Sequence, residues 1–151
     1  MADFWKRFSR NRQAVLGLII LCVVIFVAAI ANIIYPGDPF LYSKFPLSAP
    51  GENGFLLGSD SIGRDVASGI AHGAKTSLLI GLIATLAAVF IGIIFGAFAG
   101  YYGGIVDDIL MRVTEVFQTI PSFIFAILLV AIMKPSFESV VIAITVVSWP
   151  A

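Results

Sequence analysis

The chain has 151 residues, 60% hydrophobic and 12% charged, with a mean hydropathy of +1.04 and a formal net charge of +0. A soluble domain averages about 45–50% apolar and about 25% charged residues, so this balance excludes an ordinary soluble domain. It defines an all-α, polytopic membrane helix bundle, and the lack of a basic patch excludes nucleic acid as a partner.

Residues 1–14 read as a cytoplasmic N-terminal segment, because Lys6, Arg7, Arg10 and Arg12 stand against one acid, Asp3. By the positive-inside rule these cations hold the N-terminus in the cytoplasm, and Phe4, Trp5 and Phe8 suit the headgroup interface. Residues 15–34 form the first transmembrane helix. Ala29-Ile30-Ala31 resembles a signal-peptide cleavage site, but the apolar run continues through Ile34 and exceeds a usual h-region of about 7–15 residues. A retained helix is expected. Cys22, the single cysteine, lies inside this run; it forms no intrachain disulfide and reads as a packing residue.

Residues 35–75 are expected to be an extracytoplasmic loop. Pro36, Pro39, Pro46 and Pro50, with Gly37, Gly51 and Gly54, exclude a regular helix over its first part. Residues 59–73 are predicted to form a short interfacial helix capped by Ser59, Asp60 or Ser61, with Ile62, Val66 and Ile70 on one face. On that helix Arg64 and Asp60 pair at i, i+4.

Residues 76–151 carry the rest of the bundle. The run from Thr76 to Val106 contains no Asp, Glu, Lys or Arg. It is long enough to cross a hydrocarbon core, which takes about 20 apolar residues, and in lipid it must be helical to satisfy its backbone. Gly92, Gly96 and Gly100 repeat every fourth residue, a small-residue face suited to close helix packing. The second span is expected from Ser77 to Tyr101, with a turn at Tyr102-Gly103-Gly104. Asp107 and Asp108 suit the positive end of a third helix that runs to Met133, kinked at Pro121 and ended by Lys134-Pro135. A fourth apolar run starts at Ser139 and is too short by Ala151 to span. Three full transmembrane helices plus the start of a fourth are therefore expected, in the N-terminal part of a longer chain.

Catalytic constellations, metal-ligand spacings and a GxxxxGK[ST] phosphate loop are missing, so no catalytic, cofactor or metal residue is assigned and no cofactor is expected. His72 reads as a polar loop residue. Glu115, alone in an apolar run, reads either as a buried partner for another charge or as an interfacial residue reaching water beside Arg112 at i−3; the second is preferred.

The stretch Leu57-Gly58-Ser59-Asp60-Ser61-Ile62-Gly63-Arg64-Asp65-Val66, followed by Gly73-Ala74-Lys75-Thr76-Ser77-Leu78, resembles the signature of the dipeptide/oligopeptide (peptide/nickel) ABC-transporter permeases, in the form of their second permease subunit. Ser59 stands where Thr is usual, Lys75 where Arg is usual, and Gly69 where Arg is common. The resemblance continues through Gly100-Tyr101-Tyr102-Gly103-Gly104 to Asp107, then Met111-Arg112, Ile120-Pro121 and Ser148-Trp149-Pro150, and covers nearly the whole chain. It marks Gly58, Asp60, Gly63, Arg64, Asp65, Gly100, Tyr101, Gly103, Gly104, Asp107, Arg112 and Pro121 as family-motif residues.

The resemblance implies six helices, with a cytoplasmic coupling loop after the fourth, and this sequence ends just where that loop would begin. It also implies a non-catalytic, multi-pass subunit in a bacterial or archaeal inner membrane. That subunit would be half of a binding-protein-dependent importer for di- or oligopeptides. Its expected partners are a second permease subunit, two cytoplasmic ATPase subunits that hydrolyse ATP, an extracytoplasmic substrate-binding protein and the bilayer. The alternatives are an importer for nickel or another small solute, and, for a complete chain, a membrane scaffold protein without transport function.

Overall fold

A computed structural model describes residues 2–151; Met1 lies outside the described residues, as do the side chains of Ala2, Asp3 and Phe4. The described residues form six helices and no strand: α1 (Ala2–Arg10), α2 (Arg12–Ile34), α3 (Val66–Tyr102), α4 (Gly104–Thr119), α5 (Ser122–Met133) and α6 (Phe137–Ser148). They fall into two compact units that divide between Leu78 and Leu79.

In the first unit Asn11 breaks the chain between α1 and α2. Its backbone is extended, and its Oδ1 accepts from the Gln13 and Ala14 N–H groups at 3.1 and 3.3 Å, capping α2. The 23 residues of α2 meet the length and hydropathy of a membrane span. At its other end the Tyr35 N–H reaches Ala31 O, and His72 Nε2 lies 3.1 Å from Tyr35 O. His72 thus ties the end of α2 to the first turns of α3, a role that its reading as a loop residue did not contain. The irregular stretch between them agrees with its prolines.

The expected interfacial helix at 59–73 does not exist as such. Residues 59–65 are a closed turn, and the helix that follows starts at Val66 and runs without interruption to Tyr102. Gly63, at φ +84°, sits in a left-handed conformation that a helix cannot hold, so the apolar i, i+4 spacing does not decide the structure there. Asp65 caps α3 instead, its Oδ1 accepting from Ala67 N at 2.8 Å and Ser68 N at 3.2 Å. Its 37 residues exceed the roughly 20 that cross a hydrocarbon core, so α3 is longer than one crossing requires.

The second unit holds the later turns of α3 with α4, α5 and α6. The expected third helix is two helices. Pro121, which lacks an N–H, leaves Ile120 extended, and α4 and α5 meet at 84° rather than as one kinked rod. The first of them starts at Gly104, three positions before Asp107, which lies in its first turn. α5 ends at Lys134 as expected and returns against α6 in the one close helix pair of this unit. Ser136 caps α6 through the Ser139 N–H at 3.1 Å. By length and composition two helices can cross a membrane, or three if the bent α4–α5 pair is one span, and α6 is a short apolar helix.

Burial is inverted relative to a soluble core. Among the described residues every buried apolar side chain except Trp149 is an alanine, including Ala31, Ala71, Ala84, Ala88 and Ala143. Large side chains such as Phe26 and Phe90 stay exposed. Lipid gives no hydrophobic drive between helices, so close approach of small residues supplies the contact and large residues meet acyl chains or further helices.

Replacing Pro121 by Leu should let α4 and α5 fuse. Spin labels at positions 112 and 132 in the detergent-solubilised protein should then move apart toward about 30 Å, the rise of a straight helix over that interval. An unchanged separation would show that packing, not Pro121, sets the bend.

Candidate functional site

The motif Gly58–Asp65 folds into a closed turn braced by the segment before it. Ser59 and Asp65 form an isolated antiparallel bridge, and Asp60 N donates to Arg64 O at 3.0 Å. Around this ring, Gly63 O accepts from Ser43 N at 2.9 Å, Asp60 O from Leu47 N at 3.0 Å, and Ser48 O from Ser59 N at 3.1 Å. The buried Ser59 hydroxyl donates to Phe45 O at 2.5 Å and accepts from Ser48 N at 3.0 Å. A hydroxyl is all these two contacts require, so Ser serves where the motif usually has Thr.

Both motif glycines are needed by this packing. Gly58 and Gly63 have φ of +83° and +84°. A Cβ on Gly58 would collide with Ser48 O, and one on Gly63 would lie 2.6 Å from Ser43 O. Neither position accepts a side chain without movement of backbone.

Asp60 is the electrostatic centre of the turn. Its Oδ1 accepts from the Arg64 N–H at 2.8 Å and the Ile62 N–H at 3.0 Å, while Oδ2 takes the Arg64 Nε–H at 2.7 Å. The Arg64 backbone N–H, most of all, holds the Asp60 carboxyl below its usual value; partial desolvation opposes this, and the Arg64 side chain and Ile62 N–H add to it. The expected Arg64–Asp60 ion pair therefore forms, but across a turn rather than along a helix face. Arg64, Asp60 and Asp65 also border a cavity of about 470 Å³ with Phe40, Gly69, His72 and Thr76.

The motif residues from Gly100 to Gly104 lie elsewhere, at the α3–α4 junction, with Asp107 and Arg112 further along α4 and Pro121 at the break before α5. Gly100, Tyr101 and Tyr102 end α3, Gly103 caps α4, and the Tyr101 and Tyr102 rings meet edge-on at 5.0 Å. Arg112 and Glu115 are both exposed on α4 and make no ion pair with each other, which corrects the expected i, i+3 pairing. Glu115 instead borders a cavity of about 800 Å³ together with Gln118, Gly92, Gly96 and Trp149.

Of the glycine stripe on α3, Gly92 is approached by Trp149 O, 3.3 Å from a Cβ placed there, whereas Gly96 and Gly100 have nothing within 4 Å. Reading the sequence missed Trp149 as a packing centre: its ring lies 4.4 Å from Phe95 and 5.3 Å from Phe117, and Gln118 Nε2 donates to the adjacent Pro150 O at 2.6 Å. It also missed the bracing segment Ser43–Ala49, for which the serines at 43 and 48 and the irregular texture were the only signals.

Apolar helices without a large-residue core, two or three of them long and apolar enough to cross a bilayer, mark a helical membrane protein. Residues 92–151 match the family described as "Binding-protein-dependent transport system inner membrane component", and residues 1–50 match the "N-terminal TM domain of oligopeptide transport permease C". The chain is 36% identical over 157 residues to the dipeptide transport system permease protein of Haemophilus influenzae, covering 100% of this chain and 53% of that protein. It is 40% identical over 156 residues to the dipeptide permease protein of Escherichia coli K12, covering 99% and 52%. With the oligopeptide transport system permease protein of Bacillus subtilis it shares 31% over 151 residues, covering 97% and 50%. Along nearly its whole length the chain is similar to dipeptide and oligopeptide transport permease proteins. It spans about half the length of the curated relatives it matches.

Gly63→Ala should destabilise the turn by about 1–3 kcal/mol, the usual cost of a strained backbone site. Trypsin should then cut faster after Arg64, while Gly69→Ala, in open space on α3, leaves the rate unchanged. Because the folded Asp60 carboxyl titrates below its free value of 3.8, its contribution is complete above that value and is lost as pH falls through the folded one. Hydrogen-exchange protection of the Arg64 amide should hold from neutral pH to about the free value and decline below it.

Proposed function

We propose that this chain provides half of the translocation path of a binding-protein-dependent ABC importer for di- or oligopeptides. The observation that carries this reading is the ordered match along one chain: the oligopeptide-permease region at residues 1–50, the turn Gly58–Asp65, and the inner-membrane-component region at 92–151. Relatives whose names specify dipeptide and oligopeptide transport align over nearly all of it.

In this reading residues 1–14 are cytoplasmic, 15–34 cross the inner membrane, 35–75 lie outside, and 76–151 enter the permease bundle. The cations at 6, 7, 10 and 12 support that orientation. The chain is non-catalytic: two cytoplasmic ATPase subunits hydrolyse ATP, a second permease subunit completes the path, and an extracytoplasmic binding protein delivers peptide. The Gly58–Asp65 turn shapes the outer vestibule or its docking surface, supported by its rigidity and by the cavity beside Arg64. Gly96 and Gly100, uncovered in this chain, receive a helix of the assembled bundle.

A chimaera joining residues 1–151 to the second half of the E. coli dipeptide permease tests the reading in a strain lacking that subunit. Dipeptide uptake that requires the ATPase subunits is expected, and a chimaera that inserts and assembles without uptake would overturn it. In the same chimaera Gly96→Leu should reduce recovery of the assembled complex several-fold. Arg64→Ala should weaken docking of the binding protein.

A further inference from the structure

The α1 helix is too short to cross a bilayer, yet its sequence is sharply two-sided. At 100° per residue Trp5 and Phe8 share one arc, while Lys6, Arg7 and Arg10 occupy the opposite one. Trp5 is 59% exposed, and its ring meets Phe8 edge-on at 5.9 Å, forming a bulky aromatic wedge. Lys6, Arg7, Arg10 and Arg12 are all exposed, and the ion pair Arg64–Asp60 is the only one among the described residues. Asn11 alone separates this helix from α2, whose length and apolar character suit a membrane span. Covalent continuity therefore keeps α1 within a few residues of the level at which α2 enters the hydrocarbon.

From this juxtaposition we infer that α1 is a lipid-docking helix whose cationic face binds anionic phosphate headgroups of the leaflet that α2 enters, with the aromatic wedge buried at the acyl boundary. Charge complementarity selects the occupant. Aromatic side chains alone would seat α1 on any lipid surface, but three cations on the opposite arc and a fourth at Arg12 favour a negatively charged one. The long stems of Lys and Arg let their charges reach headgroup phosphates while the rings stay below them. Docked this way, α1 fixes the depth and rotation of α2, because the capped link at Asn11 has little slack. The inference rests on α2 crossing a bilayer and is independent of what is transported.

The test uses the whole chain in nanodiscs of phosphatidylcholine, with or without about one-third phosphatidylglycerol. In a Trp149→Phe background Trp5 is the only tryptophan, and Trp5→Phe/Trp149→Phe serves as blank. Acrylamide quenching of Trp5 should fall about twofold or more when phosphatidylglycerol is present, and roughly 0.5 M salt should restore it by screening. Lys6→Gln/Arg7→Gln/Arg10→Gln should abolish the lipid dependence while α2 stays inserted. Equal quenching in both lipids, or a lipid dependence that survives the triple substitution, would overturn the inference. If the Trp149→Phe chain does not fold, a nitroxide on Ser9→Cys in a Cys22→Ser chain reports the same contrast through collisions with a water-soluble nickel complex, with the same outcomes deciding.

Discussion

A peptide group in hydrocarbon has no water to bond, and everything in this chain follows from that constraint. It forces the apolar runs into helices and returns side-chain hydroxyls to their own backbone, as when Thr114 donates to Leu110 O and Thr145 to Val141 O. It also leaves alanine to do the close packing that larger residues do in soluble cores. The polar backbone that cannot be helical is gathered into the one region rich in proline, where a network of turns satisfies it.

That network explains the motif at 58–65 in physical terms. Asp60 spends both oxygens on its own turn, Asp65 spends one on the cap of α3, and the two glycines make room for Ser43 and Ser48. These side chains build a rigid platform at the head of a long helix. Arg64, half-exposed beside a cavity with only Nε engaged by Asp60, is the group on that platform with hydrogen-bonding capacity to spare.

The membrane class and an interruption of the helix at Pro121 were legible in the sequence because each rests on a single strong signal, hydropathy or a missing N–H, although a kink and not an 84° break was expected. The motif residues at 58–65 were legible as a group, but their conformation was not. A helical spacing of Ile62, Val66 and Ile70 competed with Gly63, and the glycine won because a left-handed φ is a hard local constraint while apolar spacing is a soft one. Trp149 and the bracing serines escaped notice for another reason. Their importance comes from partners more than ten positions away, Phe95 and Phe117 for the tryptophan, Gly63 for Ser43 and Ser59 for Ser48, and no local pattern announces such contacts.

The 84° break between α4 and α5 has a further meaning for solvent. Whether the pair is a broken span or a re-entrant loop, extended backbone at Ile120 and Pro121 interrupts the helical ladder inside an apolar stretch. Non-helical backbone at membrane depth persists only where protein covers it or where it borders a water-filled space. At membrane depth the break would be a site from which acyl chains are shut out, covered by another helix or bordered by water, with a dielectric set by the assembly rather than by the lipid.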